Sequence, residues 1–470
     1  MSILRCSTCI LTAVLAAALF AGPCWAREAR SGHPGGNPLY SGRKLQTKPL
    51  PPPSGPVSME DAVTRAIRDN PSLGAEEAQR ESSEAARKSA RGAFGPRLGM
   101  SYSAIKQKRD TSPASTSELT PERGTYSWGV EISQPVFQGF RLLAAYQRAA
   151  LQEESDRAAV RNAELTMTGK VQAAFLDYLR YAENARSSRE SLERLQDQLH
   201  ITKAFYEVGL RPRIDVLQAE VDVRQAESTL LQAENSRDTS LAQLNTLIGL
   251  PAASRVDYAG TLAYVPFRRS LEQCLEAAYR LRPDLHMAAL AVDIAGKSQK
   301  EVQAGYYPQV EAYWNMTQTG NTPTLQESGQ YGSRAQTWEV GARATWEVFQ
   351  WGTTYYADKQ AGHLVTKMRY AQEDLKLNVG YEVKSRLLAV REAAKRIKVT
   401  ETAVAQAQEA YKVAKARYRE QVGTNFDVLD ASAKLTVAEA DLTGARADYL
   451  AALSQLYVSM GEYRPNLMHH

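Results

Sequence analysis

Beyond its first two dozen residues the chain has almost no cysteine: Cys6, Cys9 and Cys24 lie in the N-terminal segment and only Cys274 follows. A single thiol excludes an internal disulfide framework and paired-cysteine redox chemistry. No run of 18 or more apolar residues occurs past that segment, so no transmembrane helix is expected. That leaves open a soluble chain or a β-barrel, whose alternating strands carry no such run. No dense basic block exists, and a net charge of +5 over 470 residues does not point to nucleic acid. There is no phosphate loop and no nucleophile elbow. The histidines His33, His200, His286 and His363 are scattered, and only His469 and His470 adjoin, in the tail. Catalysis, a metal and a cofactor are therefore not expected. Proline is missing from about 140–206 and about 353–418. That absence permits long helices.

What is present begins with a leader. A basic start at Arg5, an apolar stretch from Ile10 to Ala21 and a small residue at Ala26 read as a signal peptide over 1–26. Cys24 as a lipidated first residue fits poorly, because Pro23 would sit at the bond to be cut. Residues 27–57 hold Gly35-Gly36 and Pro51-Pro52-Pro53 and read as an extended lead-in.

The rest of the chain is one pattern written twice, 212 residues apart. Ser58-Met59-Glu60 with Pro71 and Leu73 recurs as Ser270-Leu271-Glu272 with Pro283 and Leu285. Val136-Phe137-Gln138 recurs as Val348-Phe349-Gln350, Tyr206 as Tyr418, and Gly249 as Gly461. Asp215-Val216-Leu217 with Ala219 recurs as Asp427-Val428-Leu429 with Ala431. Two copies are too few for a solenoid and suit one closed structure with two equivalent halves. The repeats span 58–250 and 270–461, with a linker at 251–269 and a tail at 462–470.

Inside each copy the apolar period changes in a set order. One helix is expected over 58–93 and over 270–305, opened by a serine cap. Strict alternation then predicts two strands. In the second copy Val310, Ala312, Trp314 and Met316 alternate with Glu311, Tyr313, Asn315 and Thr317. Trp338, Val340, Ala342, Ala344, Trp346 and Val348 then alternate with Glu339, Gly341, Arg343, Thr345 and Glu347. Pro135 and the Gly139 or Gly352 corner are expected to end the strands. A long helix of roughly 65–70 residues follows, about 100 Å long. A turn and a last helix, begun near Asp215 or Asp427, complete the copy. The two shorter helices together match the long one in length, so they are expected end to end beside it. Four strands cannot close a membrane barrel, which needs at least about eight, so three protomers sharing one barrel of about 12 strands are expected. Glu131, Glu311, Glu339, Arg343 and Glu347 would then face a wet lumen. The resulting fold class is mixed α and membrane β: a duplicated helix–hairpin–long helix–helix unit, a trimeric 12-stranded β-barrel joined to a long α-helical barrel.

With this ordered set the chain resembles the TolC family of outer-membrane efflux and type I secretion ducts. The residues that carry the resemblance are the duplicated openings with Asn70-Pro71 and Arg282-Pro283, Tyr306-Tyr307-Pro308, and Pro135 through Gly139. The two Asp-Val-Leu turns, above all Gly423-Thr424 through Asp430-Ala431, belong to the same set. The resemblance implies a homotrimer in the outer membrane lipid with a helical tunnel in the periplasm. It also implies a periplasmic adaptor (a membrane fusion protein) and an inner-membrane ABC or RND-type transporter as partners. Substrates, whether proteins or small toxic molecules, would pass unchanged. Asp427 and Asp430 match the acidic ring of the closed tip, which places six carboxylates around a narrow axis. Capping of a helix by Asp427 and Asp215 is the plainer role and does not exclude pore lining. Asp215 and Tyr418 match a tether that helps hold the tip shut. The family's tethering arginine is replaced by Gly423, for which Arg211, Arg213 or Arg419 could substitute. Two other readings stand beside the duct. A trimeric structural or adhesive coiled coil predicts no lumen, and an enzyme predicts a pocket of convergent polar groups.

Overall fold

A computed structural model describes residues 55–107, 123–323, 325 and 334–467. The expected leader, nearly all of the lead-in, most of both hairpin loops and the pair His469–His470 lie outside the described residues. The first copy contains α1 (Met59–Asp69), α2 (Pro71–Gly92), β1 (Arg97–Gln107), β2 (Arg123–Gln138), α3 (Arg141–Glu207) and α4 (Arg213–Leu247). The second repeats the order as α5 (Leu271–Leu281), α6 (Pro283–Gln303), β3 (Gln309–Gly320), β4 (Arg334–Thr345), α7 (Thr353–Arg419) and α8 (Asn425–Ser459).

Each copy opens on a capping box, in which two unpaired amides at a helix start are satisfied reciprocally. The Asp61 amide donates to Ser58 Oγ at 3.2 Å, and the Ser58 amide donates to Asp61 Oδ2 at 3.3 Å. Ser270 and Gln273 repeat the box at 3.3 and 3.0 Å. The single helix expected over 58–93 is in fact two, as is its counterpart over 270–305. A prolyl ring pushes the residue before it out of helical backbone, and Asn70 (ψ 126°) and Arg282 (ψ 121°) are extended for that reason. Pro71 and Pro283 then start new helices, where a missing N–H costs nothing.

The break supplies a joint. Asn70 Nδ2 donates to Leu247 O at 2.8 Å, tying the start of α2 to the end of α4. Arg282 Nη1 donates to Ser459 O at 3.0 Å, tying α6 to α8 in the same way. Both donor and acceptor are displaced by 212 residues, so different side chains perform one duty in the two copies. The helices therefore lie end to end beside the long ones, as expected.

The four strands form one antiparallel sheet in the order β1-β2-β3-β4. The central pair, β2 and β3, joins the two copies. One face carries Leu98, Met100, Val130, Trp314, Trp338 and Val340, and the other carries Ser101, Glu131, Tyr313, Asn315 and Glu339. Pro135 does not end β2 as expected. The strand passes through it on a bulge between Pro135 and Phe137 and continues to Gln138. A bulge is where a residue lacking an amide can sit in a ladder. The pairing of β4 stops at Thr345, short of the expected Val348, because Thr345 faces Gln309 and Pro308 before it has no amide to donate.

Helices α3 and α7 are 67 residues each, roughly 100 Å at 1.5 Å per residue. Helix α3 packs against α2 and α4 on one side and α6 and α8 on the other, while α7 packs against α6 and α8. The main core lies near the middle of the long helices. There Val63 of α1, Phe175 and Leu176 of α3, Leu244 of α4, Cys274 of α5, Leu387 of α7 and Leu450 and Leu453 of α8 are buried together. The linker closes it: Tyr258 is buried against the Phe175 ring at 5.9 Å and donates to Asn245 Oδ1 at 2.7 Å. Side chains of this size contribute about 1.5–3 kcal/mol each on burial, so the fold is anchored at mid-length and extends thinly to the sheet and to the turns.

Both margins of this arrangement are unpartnered among the described residues. Strands β1 and β4 each have one free edge. Helix α7 exposes Tyr370, Leu377, Tyr381 and Leu388, spaced 7, 4 and 7 apart, and α4 exposes Val221 and Leu231. Such a stripe is what a coiled-coil seam uses.

Candidate functional site

The ends of the helices farthest from the sheet hold a second, smaller cluster. Tyr411, Tyr418, Val428, Ala431 and Leu435 pack with Ile201 and Phe205 there. The chain turns between α3 and α4 through Gly209 (φ 80°) and between α7 and α8 through Gln421 (φ 62°). Left-handed backbone of this kind is natural for glycine.

A buried polar knot binds the two copies at this end. Tyr418 is 0 % exposed, and its hydroxyl lies 3.1 Å from Thr202 Oγ1. Gln198 Nε2 donates to Asn425 Oδ1 at 2.9 Å, and Asn425 Nδ2 donates to the Asp215 carbonyl at 3.2 Å. Tyr418 and Asp215, expected as a tether, thus meet in one network through Thr202 and Asn425. Asp215 contributes its backbone, and no bond joins the two side chains directly. The seam between α3 and α8 stays polar above this point. Ser187 Oγ donates to Glu439 at 2.9 Å, and Thr436 Oγ1 donates to Ser191 Oγ at 2.9 Å. Gln198 Oε1 and Ser432 Oγ are buried in it without a partner, which makes this seam weaker than an apolar one.

Of the three candidate arginines, Arg211 is the one that reaches from the first-copy turn to the second. Its Nη2 donates to Gly423 O at 2.6 Å, and its guanidinium stands 4.9 Å from the centre of the Tyr418 ring. One side chain from the first-copy turn therefore holds both the backbone and the buried tyrosine of the second. Arg213 and Arg419 are exposed.

Asp427 is the third residue of α8 and closes a capping box. The Thr424 amide donates to its carboxylate at 3.0 Å, and its own amide donates to Thr424 Oγ1 at 3.2 Å. These bonds, the Thr424 amide first, hold its pKa below the ordinary aspartate value of 3.8. A group whose pKa is lowered on folding contributes stability above its unfolded value and loses it as pH falls through its folded value. The Thr424 and Asp427 amides should therefore stay protected from hydrogen exchange at pH 5 and lose protection only below about pH 3.8, once intrinsic rates are divided out. In Asp427→Asn that pH dependence should vanish; its persistence would assign the transition to another group. Asp215 occupies the equivalent position in α4 but forms no such box. Its cap residue is Pro212, which has no amide to offer.

The two candidate gate carboxylates line different grooves. Asp427 borders one between α7 and α8, with Glu409, Val413 and Arg417. Asp430 borders a groove of about 700 Å³ between α4 and α8, with Ile214, Leu217, Val221, Asp222 and Phe426. Lys434 lies 2.8 Å from Asp430 in an exposed pair. In the sheet, Glu131, Asn315 and Glu339 form one row across β2, β3 and β4, and Asn315 Nδ2 donates to Glu339 at 3.1 Å. Glu311 and Arg343 face each other across β3 and β4, on the same polar face. Glu347 is exposed and follows the last paired residue of β4, so the register does not place it. The knot of Gln198, Thr202 and Asn425 was not singled out from the sequence. Asn425 lies within the Gly423–Ala431 stretch, but its partners Gln198 and Thr202 are more than 200 residues away and belong to no motif.

Comparison with known proteins fits this geometry. The profile of the outer membrane efflux protein family matches twice, over residues 62–250 and 274–462. The alkaline protease secretion protein AprF of Pseudomonas aeruginosa is 24 % identical over 411 residues, covering 85 % of this chain and 83 % of its own. The outer membrane protein TolC of Vibrio cholerae is 24 % identical over 410 residues, covering 86 % and 90 %. Among solved structures, the Campylobacter jejuni CmeC outer membrane channel superposes with a TM-score of 0.75 at 14 % identity, covering 86 % of this chain and 85 % of that one.

Proposed function

The chain belongs to the outer membrane efflux protein family, and from that premise we propose that it works as a trimeric export duct gated at its periplasmic tip. It resides in the outer membrane as an exit route for efflux or secretion. The observation that carries the trimer is a four-stranded sheet with an apolar face and both edges free. Four strands are too few to close and an open edge is not tolerated in lipid, so three copies supply about 12 strands. The repeats 58–250 and 270–461, joined by the 251–269 linker, then act as six similar units around one axis. The apolar stripe of α7 covers the next copy's α2 and α4. Glu131, Glu339 and the Glu311–Arg343 pair face the water of the lumen, with Glu347 at its rim.

At the tip, Asp427 and Asp430 supply the acidic constriction, and the Tyr418–Thr202–Asn425–Asp215 network with the Arg211 latch holds it closed. A periplasmic adaptor and an inner-membrane ABC or RND-type transporter deliver the substrate and prise the latch apart. Nothing in the duct alters the substrate, because transport needs only a wet path and a door. Protein and small-molecule cargo are both compatible with these walls. In planar bilayers the purified trimer should conduct in discrete, cation-selective steps. Trimers of the right mass that pass no current would overturn the duct. Arg211→Ala should raise the single-channel conductance several-fold, by loosening contacts worth about 1–3 kcal/mol. An unchanged conductance would remove Arg211 from the latch.

A further inference from the structure

The junction between the two copies inside one chain is a template for the junction between protomers. At the corner from β2 into α3, Gly139 and Phe140 are both left-handed, with φ 59° and 68°. At the duplicated corner, Trp351 and Gly352 are left-handed too, with φ 50° and 84°. The supporting bonds also match: Gln134 Nε2 donates to Phe94 O at 2.8 Å, and Trp346 Nε1 donates to Tyr306 O at 3.2 Å. The backbone has been kept through the duplication while the side-chain sizes have been exchanged.

The first corner has a neighbour, the turn from α6 into β3. A Cβ on Gly139 would lie 2.5 Å from Ala304 O and 3.0 Å from Tyr307 Cβ, so only glycine fits there. The Phe140 ring meets the Tyr307 ring edge-on at 6.0 Å. The second corner keeps the turn of its own unit, where the Tyr306 hydroxyl donates to Thr354 O at 3.4 Å, but no next unit follows it. Trp351 is 90 % exposed and, among the described residues, its ring meets only the Phe349 ring, at 5.1 Å. Subtracting 212 from Ala304 and Tyr307 gives Gly92 and Gly95, in the turn from α2 into β1. The space beside them is open: a Cβ on Gly92 would meet nothing within 4 Å, and one on Gly95 only the carbonyl of its own turn. Small against large inside the chain has become large against small at its margins. A tryptophan in left-handed backbone is also strained where glycine would not be, so the ring must gain something from its place.

We infer that Trp351 of each protomer is a knob that seats over Gly92 and Gly95 of the next copy, interlocking the protomers where barrel meets helices. The inference rests on the trimeric reading above and says how its seam is keyed. A second copy is the occupant because the internal junction already shows that surface meeting this corner, in a strand register that continues the sheet.

The test uses the full-length chain in detergent. With Trp351→Cys and Gly95→Cys together, oxidation should lock subunits into covalent trimers on a non-reducing gel. Each single variant, and Trp351→Cys paired with the distant Val221→Cys, should remain uncrosslinked. Gly95→Trp should cut the yield of trimers about tenfold by overpacking the seam, and adding Trp351→Gly should restore most of it. Trimers that never crosslink at this pair and that tolerate Gly95→Trp would overturn the knob and leave Trp351 to the lipid. A protein that is monomeric by light scattering before any substitution would instead overturn the trimer beneath it.

Discussion

In Asp427→Asn/Asp430→Asn trimers, the concentration of a trivalent cation that half-blocks the current should rise roughly a hundredfold, which corresponds to about 2.7 kcal/mol. In the proposed duct the double substitution removes two carboxylates per protomer, six in the trimer, from a constriction where their fields add. Asparagine is preferred to alanine because its side-chain oxygen can still accept from the Thr424 amide, which Asp427 does at 3.0 Å. The cap of α8 is then kept while the charge goes, and the gating and capping roles of Asp427 separate. Lys434, 2.8 Å from Asp430, blunts the field only slightly, since both side chains are exposed and such pairs are weak. The single variants carry further information, because the two carboxylates line separate grooves, one shared with α7 and the other with α3 and α4. The one whose loss moves the block more identifies the groove that faces the axis. A block that survives the double variant would leave the duct standing and remove the gate from these residues.

The largest loss of stability is expected away from the gate. Arg282→Ala should destabilise the folded chain by about 2–4 kcal/mol in denaturant titrations of the detergent-solubilised protein. Arg282 is 14 % exposed and holds Asp284 at 2.7 Å, Glu382 at 2.7 Å and the Ser459 carbonyl at 3.0 Å. Removing it strands two carboxylates and a helix-end carbonyl. The loss falls short of a fully buried pair because Glu382 is still 41 % exposed. Arg282→Asn should be milder, since asparagine at the equivalent Asn70 reaches Leu247 O and also accepts from the Ser72 amide at 2.8 Å. Equal losses for alanine and asparagine would show that the joint between α6 and α8 contributes little.

These two residues show how far a linear reading reaches. The duplication placed 70 and 282 in register, and the prolines after them were visible. The break they force was missed, because Ala, Glu and Arg continue on both sides and helix periodicity outweighed one proline. Pro135 is the opposite case: the proline suggests a strand end, and the structure absorbs it in a bulge. Serine caps, alternating strands, uninterrupted long helices and end-to-end pairing were all legible. Each depends on spacing within a few dozen residues or on the constant offset between copies.

The sequence by itself determined the unit, its repetition, its lengths and its polarity, since periodicity, capping and glycine or proline placement act along the chain. Only the tertiary structure decided which residues meet at the tip. Thr202 and Gln198 carry no motif, and contacts across more than 200 residues depend on how helices 100 Å long are phased about their axes. A small change in that phase turns a side chain from core to surface. For that reason Arg211 rather than Arg213 or Arg419 holds Gly423, and Asp427 and Asp430, one turn apart, look into separate grooves.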